Sequence, residues 1–198
     1  MNKILVLGGT GFVGRHVCEQ LVERNGGGGG RILVPSRRPA RAQHIRMLPT
    51  VELVQANVHD AAQLRRLVSG CDAVINLVAI LHGRPADFDK VHVALPRQLA
   101  QACAEAGVKR LVHVSALGVG EGAPSNYLRS KTAGEAALKA QRGLELTILR
   151  PSVIFGAEDR FLNLFARLQK IFPLMPLAGA SARFQPVWVG DVARALVH

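Results

Sequence analysis

Two side chains at helical spacing could together move a proton. Tyr127 and Lys131 are four residues apart, a spacing that places two side chains on the same face of a helix. An ammonium group beside a phenol lowers the pKa of the phenol, so the tyrosine could exchange a proton with a carbonyl or alcohol oxygen. Tyr127 is the only tyrosine in the chain. The pair is therefore the candidate acid–base centre, and the alternative is a helix surface on which the two residues fall by chance.

A glycine-rich loop near the start of the chain could hold phosphate groups. The segment Gly8-Gly9-Thr10-Gly11-Phe12-Val13-Gly14 follows the apolar run Ile4–Leu7 and leads into an amphipathic segment. Glycines at this spacing allow a tight turn, a close approach of backbone to a pyrophosphate, and close packing of helix on strand. Free N–H groups at the helix start then face the phosphates. The alternative is an ordinary glycine turn. The predicted dinucleotide contacts here are Gly8, Thr10, Gly11, Phe12, Val13 and Gly14.

The residues after the second predicted strand indicate which dinucleotide is bound. An acidic side chain there would hold the ribose hydroxyls of NAD, whereas basic side chains would pair with the 2′-phosphate of NADP. The chain has Ser36, Arg37 and Arg38, and no Asp or Glu occurs between Arg31 and Val51. A guanidinium binds phosphate through two hydrogen bonds. We therefore predict NADP(H) as the preferred cofactor, with NAD(H) as the alternative if the arginines form only a solvated loop.

Short β-branched runs alternate with amphipathic segments along most of the chain. Val13, Val17 and Leu21 recur on one face of their segment, which predicts a helix. Continuous apolar runs are typical of parallel strands covered by helices on both faces. The pattern predicts an α/β fold with a doubly wound parallel sheet, the Rossmann fold. The predicted strands are Ile4–Leu7, Ile32–Pro35, Val51–Gln55, Ala73–Ile80, Arg110–Ser115 and Leu146–Leu149, and the predicted helices are Phe12–Arg24, Ala61–Val68, Asp87–Ala106 and Asn126–Gln141.

The regular alternation weakens after Arg150. We predict an amphipathic stretch at Phe161–Ile171, then a Pro-rich turn, a short apolar run at Phe184–Val189, and a helix that starts near Asp191. We divide the chain into a dinucleotide-binding domain, residues 1–156, and the start of a C-terminal substrate region, residues 157–198, and we expect a longer protein. The run Gly26–Gly30 is predicted to be a flexible connection between a helix and a strand.

Composition narrows the class of protein. Apolar residues make up 48% and charged residues 20%, which is typical of a folded globular chain. The net charge of +11 favours an anionic partner, but one Trp and one Tyr give little stacking surface, so we expect no nucleic acid partner. Cys18, Cys71 and Cys103 are predicted to be buried thiols, and no His or Cys spacing fits a metal site, so we predict no metal. With no recognisable signal peptide or membrane span, we expect a cytoplasmic protein.

Three further polar residues are assigned from their positions. His113 lies in an apolar predicted strand, which favours a core histidine over an acid–base group. Glu158 and Asp159 fall in a loop, where we expect them either to rim a substrate cleft or to be solvated.

Taken together, these motifs resemble the atypical and extended short-chain dehydrogenase/reductase superfamily, that is, the NAD-dependent epimerases/dehydratases. Within it, the chain resembles the group that contains the NADPH-binding dehydrogenase-like accessory subunit of respiratory complex I and its bacterial relatives. The resemblance covers residues 1–156, with a fainter similarity at Pro186–Asp191. The stretches that carry it are Gly8–Gly14, Ser36–Pro39, Ile75–Ala79, His113–Gly118, Tyr127–Lys131 and Leu149–Gly156.

The resemblance implies that three more loops at strand ends line the cofactor. They would lie against adenine after the third strand, against the ribose after the fourth strand, and near the nicotinamide after the sixth. In this order the residues are Asn57 and Val58; Leu77, Val78 and Ala79; and Pro151, Ser152 and Val153.

The resemblance also implies a catalytic centre. Tyr127 and Lys131 match the YxxxK pair of the superfamily, with Lys131 also holding the cofactor ribose. Ser115 would complete the triad, although in many relatives the triad serine falls slightly later, where this chain has Ala116 and Leu117.

Two functions remain open from the resemblance. One is an NADP(H)-dependent oxidoreductase or epimerase/dehydratase that acts on a small molecule. The other is a non-catalytic NADPH-binding accessory or regulatory subunit linked to the respiratory chain or quinone metabolism. The second function would include peripheral association with a membrane or respiratory complex. Either could form a homodimer through the helices predicted at Asp87–Ala106 and Asn126–Gln141.

Overall fold

A six-stranded parallel sheet forms the centre of the computed structural model, which describes residues 3–26, 28–159, 161–171 and 183–198. The strands are β1 (Lys3–Leu7), β2 (Arg31–Ser36), β3 (Val51–Gln55), β4 (Ala73–Asn76), β5 (Arg110–Val114) and β6 (Glu145–Leu149). Their order across the sheet is β3-β2-β1-β4-β5-β6. The winding reverses between β1 and β4, which confirms the predicted doubly wound Rossmann sheet.

Helices cover both faces of this sheet. The helices are α1 (Phe12–Arg24), α2 (Gln43–Arg46), α3 (Ala61–Val68), α4 (Pro85–Asp89), α5 (Leu95–Glu105), α6 (Asn126–Lys139), α7 (Leu162–Ile171) and α8 (Val189–Val197). A 3₁₀ turn follows β2 at Pro39–Arg41, and a π-helical turn at Lys90–Ala94 joins α4 to α5. Two short strands, β7 (Ile154–Phe155) and β8 (Val187–Trp188), pair in parallel beside the main sheet. In the part of the chain so described, no helix is long and apolar enough to cross a membrane.

The core lies in two layers, one on each face of the sheet. Successive strand residues alternate between them, so Leu5 packs towards α3 and α5 while Val6 packs towards α1 and α8. Burial of these apolar side chains is the main favourable term in folding. Val192 and Leu196 of α8 belong to the same layer as α1, so α8 packs on the α1 side of the sheet.

The three cysteines are buried free thiols, as predicted. Burial raises the pKa of both Cys18 and Cys103 to about 12, so these two sulfurs stay protonated and pack as small apolar groups.

Several predicted element boundaries are wrong. The strand predicted at Ala73–Ile80 ends at Asn76, because the Asn76 side chain accepts a hydrogen bond from the Val78 amide and turns the chain out of the sheet. The helix predicted from Asp87 starts at Pro85, where the Arg84 amide is bound by the Asp87 carboxylate.

The end of the chain differs in similar ways. The last helix begins at Val189 rather than near Asp191, and the run predicted at Phe184–Val189 contains only the short β8. The predicted Pro-rich turn after Ile171 lies outside the described residues, as does Gly27 within the predicted glycine connection.

Candidate cofactor and acid–base site

The glycine loop is shaped by close backbone contacts. Gly8 has a φ angle of +80°, and a Cβ at this position would lie 3.1 Å from the Leu77 carbonyl carbon. A Cβ on Gly14 would lie 2.3 Å from the Gly8 carbonyl oxygen, so α1 begins directly against the turn. Gly11 supplies no side-chain cap to α1, and the first turn of the helix carries no acidic residue. The amides at this end of α1 are therefore suited to an anionic ligand.

Basic side chains surround the end of β2. Arg37 and Arg38 are exposed, and the Arg38 amide donates to Ser36 Oγ at 3.2 Å. Burial and the positive charges of Lys90 and Arg37 lower the pKa of His59, so Arg37 lies near the loop after β3. The structure thus brings Arg37, one of the predicted 2′-phosphate residues, next to the loop that contains Asn57 and Val58.

The other predicted cofactor loops leave the same edge of the sheet. The Leu77 amide donates to the Leu7 carbonyl at 2.9 Å, which places the turn after β4 beside the glycine loop. Leu77 and Val78 are half-buried and Ala79 is exposed. Two backbone hydrogen bonds of 2.9 Å hold the loop after β6 at the sheet edge. The Leu117 amide donates to the Pro151 carbonyl, and the Val187 amide donates to the Val153 carbonyl. Ser152 is half-buried between them. Loops at the carboxyl ends of parallel strands are where such sheets bind ligands.

Tyr127 and Lys131 both lie in the first turns of α6. Ser125 caps this helix by accepting from the Leu128 amide at 3.1 Å. Lys131 is only 2% exposed, and its amine donates to the Val114 carbonyl at the end of β5, at 2.9 Å. Burial lowers the pKa of Lys131 to about 8, and the charge of Glu135 opposes part of that change. The pair is thus anchored to the carboxyl edge of the sheet.

The electrostatics of the tyrosine differ from the prediction. Burial raises the pKa of Tyr127, whereas a neighbouring ammonium would lower it. The Lys131 amine makes its hydrogen bond to a backbone carbonyl, and burial dominates the surroundings of the phenol.

Ser115 lies directly after β5, close to the end of the strand that Lys131 contacts. It is 3% exposed, and its amide donates to the Leu149 carbonyl at 2.7 Å. Burial of Glu135 raises the pKa of its carboxyl group, but hydrogen bonds from Arg150 and Lys139 outweigh burial and lower this pKa to about 2. The Ser115 hydroxyl is buried and has no hydrogen-bond partner among the described residues.

Comparison with known proteins gives the family. The family described as "NAD(P)H-binding" matches residues 8–161, a stretch that contains the glycine loop, the β2 arginines, Tyr127 and Lys131. The chain belongs to this NAD(P)H-binding family.

Curated relatives of this NAD(P)H-binding chain agree with the predicted resemblance. It is 38% identical to mouse "NADH dehydrogenase [ubiquinone] 1 alpha subcomplex subunit 9, mitochondrial", over 98% of this chain and 52% of the relative. It is 34% identical to the "Ceramide reductase" of Caulobacter vibrioides, over 98% of this chain and 59% of the relative. The chain thus spans about half the length of the curated relatives it matches.

A solved dehydratase structure has the same fold as this NAD(P)H-binding chain. A double mutant of DesIV, a dTDP-glucose 4,6-dehydratase from Streptomyces venezuelae solved with NAD and DAU bound, superposes with a TM-score of 0.82. It shares 26% identity and covers 98% of this chain and 70% of its own. Together with the curated relatives, this match confirms the predicted relationship to the epimerase/dehydratase superfamily and to the complex I subunit group.

His113 is a core histidine, as predicted. Its Nδ1 lies 3.1 Å from the Asn76 amide nitrogen, and it is buried at the end of β5. Burial lowers the pKa of His113 to about 3, so the ring stays neutral at physiological pH.

The two acidic residues after β7 have structural partners. Asp159 accepts from the Leu162 amide at 2.6 Å and caps α7. Glu158 lies 2.6 Å from Arg15 on α1. Asp159 is therefore a helix cap, and Glu158 ties its loop to the first helix.

Three residues at the site were missed by sequence reasoning. Two of them, Glu135 on α6 and Arg150 after β6, form a bidentate ion pair in which Arg150 Nε donates to Glu135 Oε1 at 2.8 Å and Nη2 donates to Oε2. His92 is buried in the π-helical turn against Tyr127. A glutamate four residues after Lys131 on the same helix face was the available signal for Glu135. The role of His92 depends on contacts across more than 30 residues of sequence, so spacing does not reveal it.

Proposed function

We propose that this chain binds NADP(H) and acts as an NADP(H)-dependent oxidoreductase, with Tyr127 as the acid–base group and Lys131 as its partner. The observation that carries the proposal is the buried Lys131, which is held at the carboxyl end of β5 one helical turn from Tyr127. This is the same sheet edge that carries the glycine loop.

The residues of this edge fit the dinucleotide. A Cβ on Gly14 would collide with the Gly8 carbonyl, and the uncapped start of α1 offers amides to the pyrophosphate. Arg37 and Arg38 would bind the 2′-phosphate. Leu77, Val78, Ala79, Asn57 and Val58 would line the ribose and adenine, and Pro151, Ser152 and Val153 the nicotinamide. When bound, the nicotinamide supplies or accepts a hydride.

The side chains then manage the proton. Tyr127 would donate it to a substrate carbonyl oxygen during reduction, and would take it from an alcohol in the reverse direction. The Lys131 ammonium would stabilise the phenolate formed by donation and hold the ribose. Because burial raises the pKa of Tyr127, the phenol is protonated at neutral pH, which is the form that reduction of a carbonyl uses.

Replacing Tyr127 by Phe tests the proposed chemistry. Loss of a positioned acid–base group costs about 10²–10⁴-fold in rate, while the phenyl ring keeps the packing. Oxidation of NADPH would be followed by absorbance with a panel of aldehydes, ketones and acyl-sphingoid ketones. Y127F should lose turnover and keep the NADPH dissociation constant. Equal turnover by Y127F and the unchanged protein would contradict Tyr127 as the acid–base group.

A second function, a non-catalytic NADPH-binding accessory subunit, is favoured by one observation. The Ser115 hydroxyl is buried rather than exposed at the site, so the substrate oxygen would lose a hydrogen-bond donor of the usual triad. The curated relatives named as NADH dehydrogenase subunits agree with this alternative. It expects tight NADPH binding, no turnover with any of the carbonyl panel, and co-purification with a respiratory complex or membrane fraction.

We further propose three properties of the protein. These are the boundary between a dinucleotide domain and a substrate region at residue 156, a homodimer through the segment containing α5 and through α6, and a cytoplasmic location.

A further inference from the structure

A buried histidine connects two parts of the candidate site. His92 lies in the π-helical turn Lys90–Ala94 and is 2% exposed. Pro96 has no N–H to give to the His92 carbonyl four residues earlier, and that carbonyl faces α6 so closely that a Cβ on Gly134 would lie 1.9 Å from it. The turn and α6 are therefore packed backbone to backbone. A π-helical turn at such a point often marks a functional position.

Hydrogen bonds run through the His92 ring in one direction. The Ile80 amide donates to Nε2 at 3.1 Å, so Nε2 is an acceptor and the neutral ring carries its proton on Nδ1. Nδ1 then donates to Ser130 Oγ at 2.8 Å, and the Ser130 hydroxyl donates to the Tyr127 carbonyl at 2.7 Å. This tautomer is assigned from the network. The chain of bonds joins the loop after β4 to the first turn of α6.

The same ring packs against the tyrosine. The centroids of His92 and Tyr127 are 5.4 Å apart with the rings nearly perpendicular, and Phe88 contacts both, at 5.6 and 6.4 Å. Edge-to-face aromatic contacts of this kind fix ring orientation. The rings of His92 and Phe88 therefore hold the Tyr127 phenol in position and shield it from water.

We propose that His92 is a positioning residue, which holds the Tyr127 phenol in place relative to the cofactor-side loop after β4. The inference deepens the proposed function, because it concerns the residue assigned there as the acid–base group. The titratable group that lowers the pKa of His92 is Lys131 from α6, and His92 in turn lowers the pKa of His113 from β5. Burial, together with the Lys131 charge, lowers the pKa of His92 to about 4. The His92 ring is therefore neutral throughout the alkaline pH range in which a tyrosine ionises.

The single tyrosine allows a direct test. Tyrosinate absorbance in the ultraviolet reports Tyr127 alone, because the chain has no other tyrosine. The pKa of Tyr127 would be measured without cofactor in the unchanged protein and in H92L, H92Q and S130A. V93A is the matched control, because Val93 is a buried neighbour on the same turn.

We expect the ionisation constant of Tyr127 to rise about tenfold in H92L, because loss of two hydrogen bonds loosens the first turn of α6 and admits water to the phenol. H92Q should restore most of the original value, since an amide both donates and accepts. S130A, which breaks the same chain of bonds, should change the constant in the same direction as H92L. V93A should leave it unchanged.

Two outcomes would overturn the inference: an unchanged Tyr127 pKa in both H92L and S130A, or an equal change in V93A. If H92L does not fold by circular dichroism, S130A decides. NADPH binding is measured separately on the same samples. Failure of the unchanged protein to bind NADPH would refute the proposed function, while the Tyr127 titration would still decide the role of His92.

Discussion

Glu135 is a buried carboxylate on which several positive charges beside the candidate site converge. Its side chain is nearly inaccessible, and it accepts hydrogen bonds from the guanidinium of Arg150 and from the Lys139 amine at 3.1 Å. Its negative charge also raises the pKa of Lys131, against the effect of burial. A buried carboxylate with several charged donors is strongly coupled to its neighbours, and removing it leaves them without their partner.

Replacing Glu135 by Gln should therefore destabilise the protein by about 1–3 kcal/mol at neutral pH, the usual effect of breaking a charge-assisted buried hydrogen bond. Because the folded pKa of about 2 lies below the ordinary value of 4.5, this stability is present above pH 4.5 and is lost as the pH falls towards 2. Urea unfolding measures it. The control is E145Q, because Glu145 is exposed. Equal free energies of unfolding for E135Q and E145Q at pH 7 would show that the hydrogen bonds of Glu135 do not stabilise the protein.

At the scale of elements, the contact between α6 and the turn before α5 positions the acid–base pair. Gly134 permits this contact, because its Cα lies against the His92 carbonyl. Alanine normally favours a helix over glycine by about 1 kcal/mol, so a pure propensity argument predicts stabilisation by G134A.

The close packing of Gly134 predicts the opposite result for G134A. A methyl group forced 1.9 Å from a backbone oxygen must separate the two elements, and we expect G134A to destabilise the protein by about 3 kcal/mol or more. Thermal and urea unfolding would be compared with G122A, whose Cβ meets nothing within 4 Å. A G134A protein as stable as G122A would show that the helices are not in this contact.

Elements differ in how far sequence determines them. The strands and α1 follow from apolar periodicity, and the turn of Gly8 to Gly14 follows from backbone sterics, both of which are local. The π-helical turn was not predicted, because it depends on Pro96 together with Gly134 from a distant helix. Likewise, Glu135 and Arg150 meet only after α6 and β6 are packed. Tyr127 and Lys131 were found from spacing, but the raised pKa of the tyrosine comes from burial that spacing does not encode.

For the whole molecule, buried neutral histidines predict sensitivity to acid. Burial lowers the pKa of His92 to about 4 and of His113 to about 3, below the ordinary value of 6.5. As the pH falls, these two histidines are therefore protonated in the unfolded chain before they are protonated in the folded protein. The free energy of unfolding should fall as the pH drops from 6.5 towards 3. Unfolding by urea across this range checks the slope. A double variant, H92Q/H113Q, should flatten it, whereas H44Q, at an exposed position, should not. An unchanged slope in the double variant would contradict the assignment.

The central claim, that the carboxyl edge of the sheet binds NADP(H) through the glycine loop and the β2 arginines, is tested most directly by a fluorescence titration with NADPH and NADH. The same titration is repeated on the R37A/R38A double variant. We predict tighter binding of NADPH than of NADH, and a loss of about tenfold or more in NADPH affinity in the double variant with NADH affinity unchanged. Equal affinity for the two dinucleotides in the unchanged protein, or no binding of either, would contradict the claim.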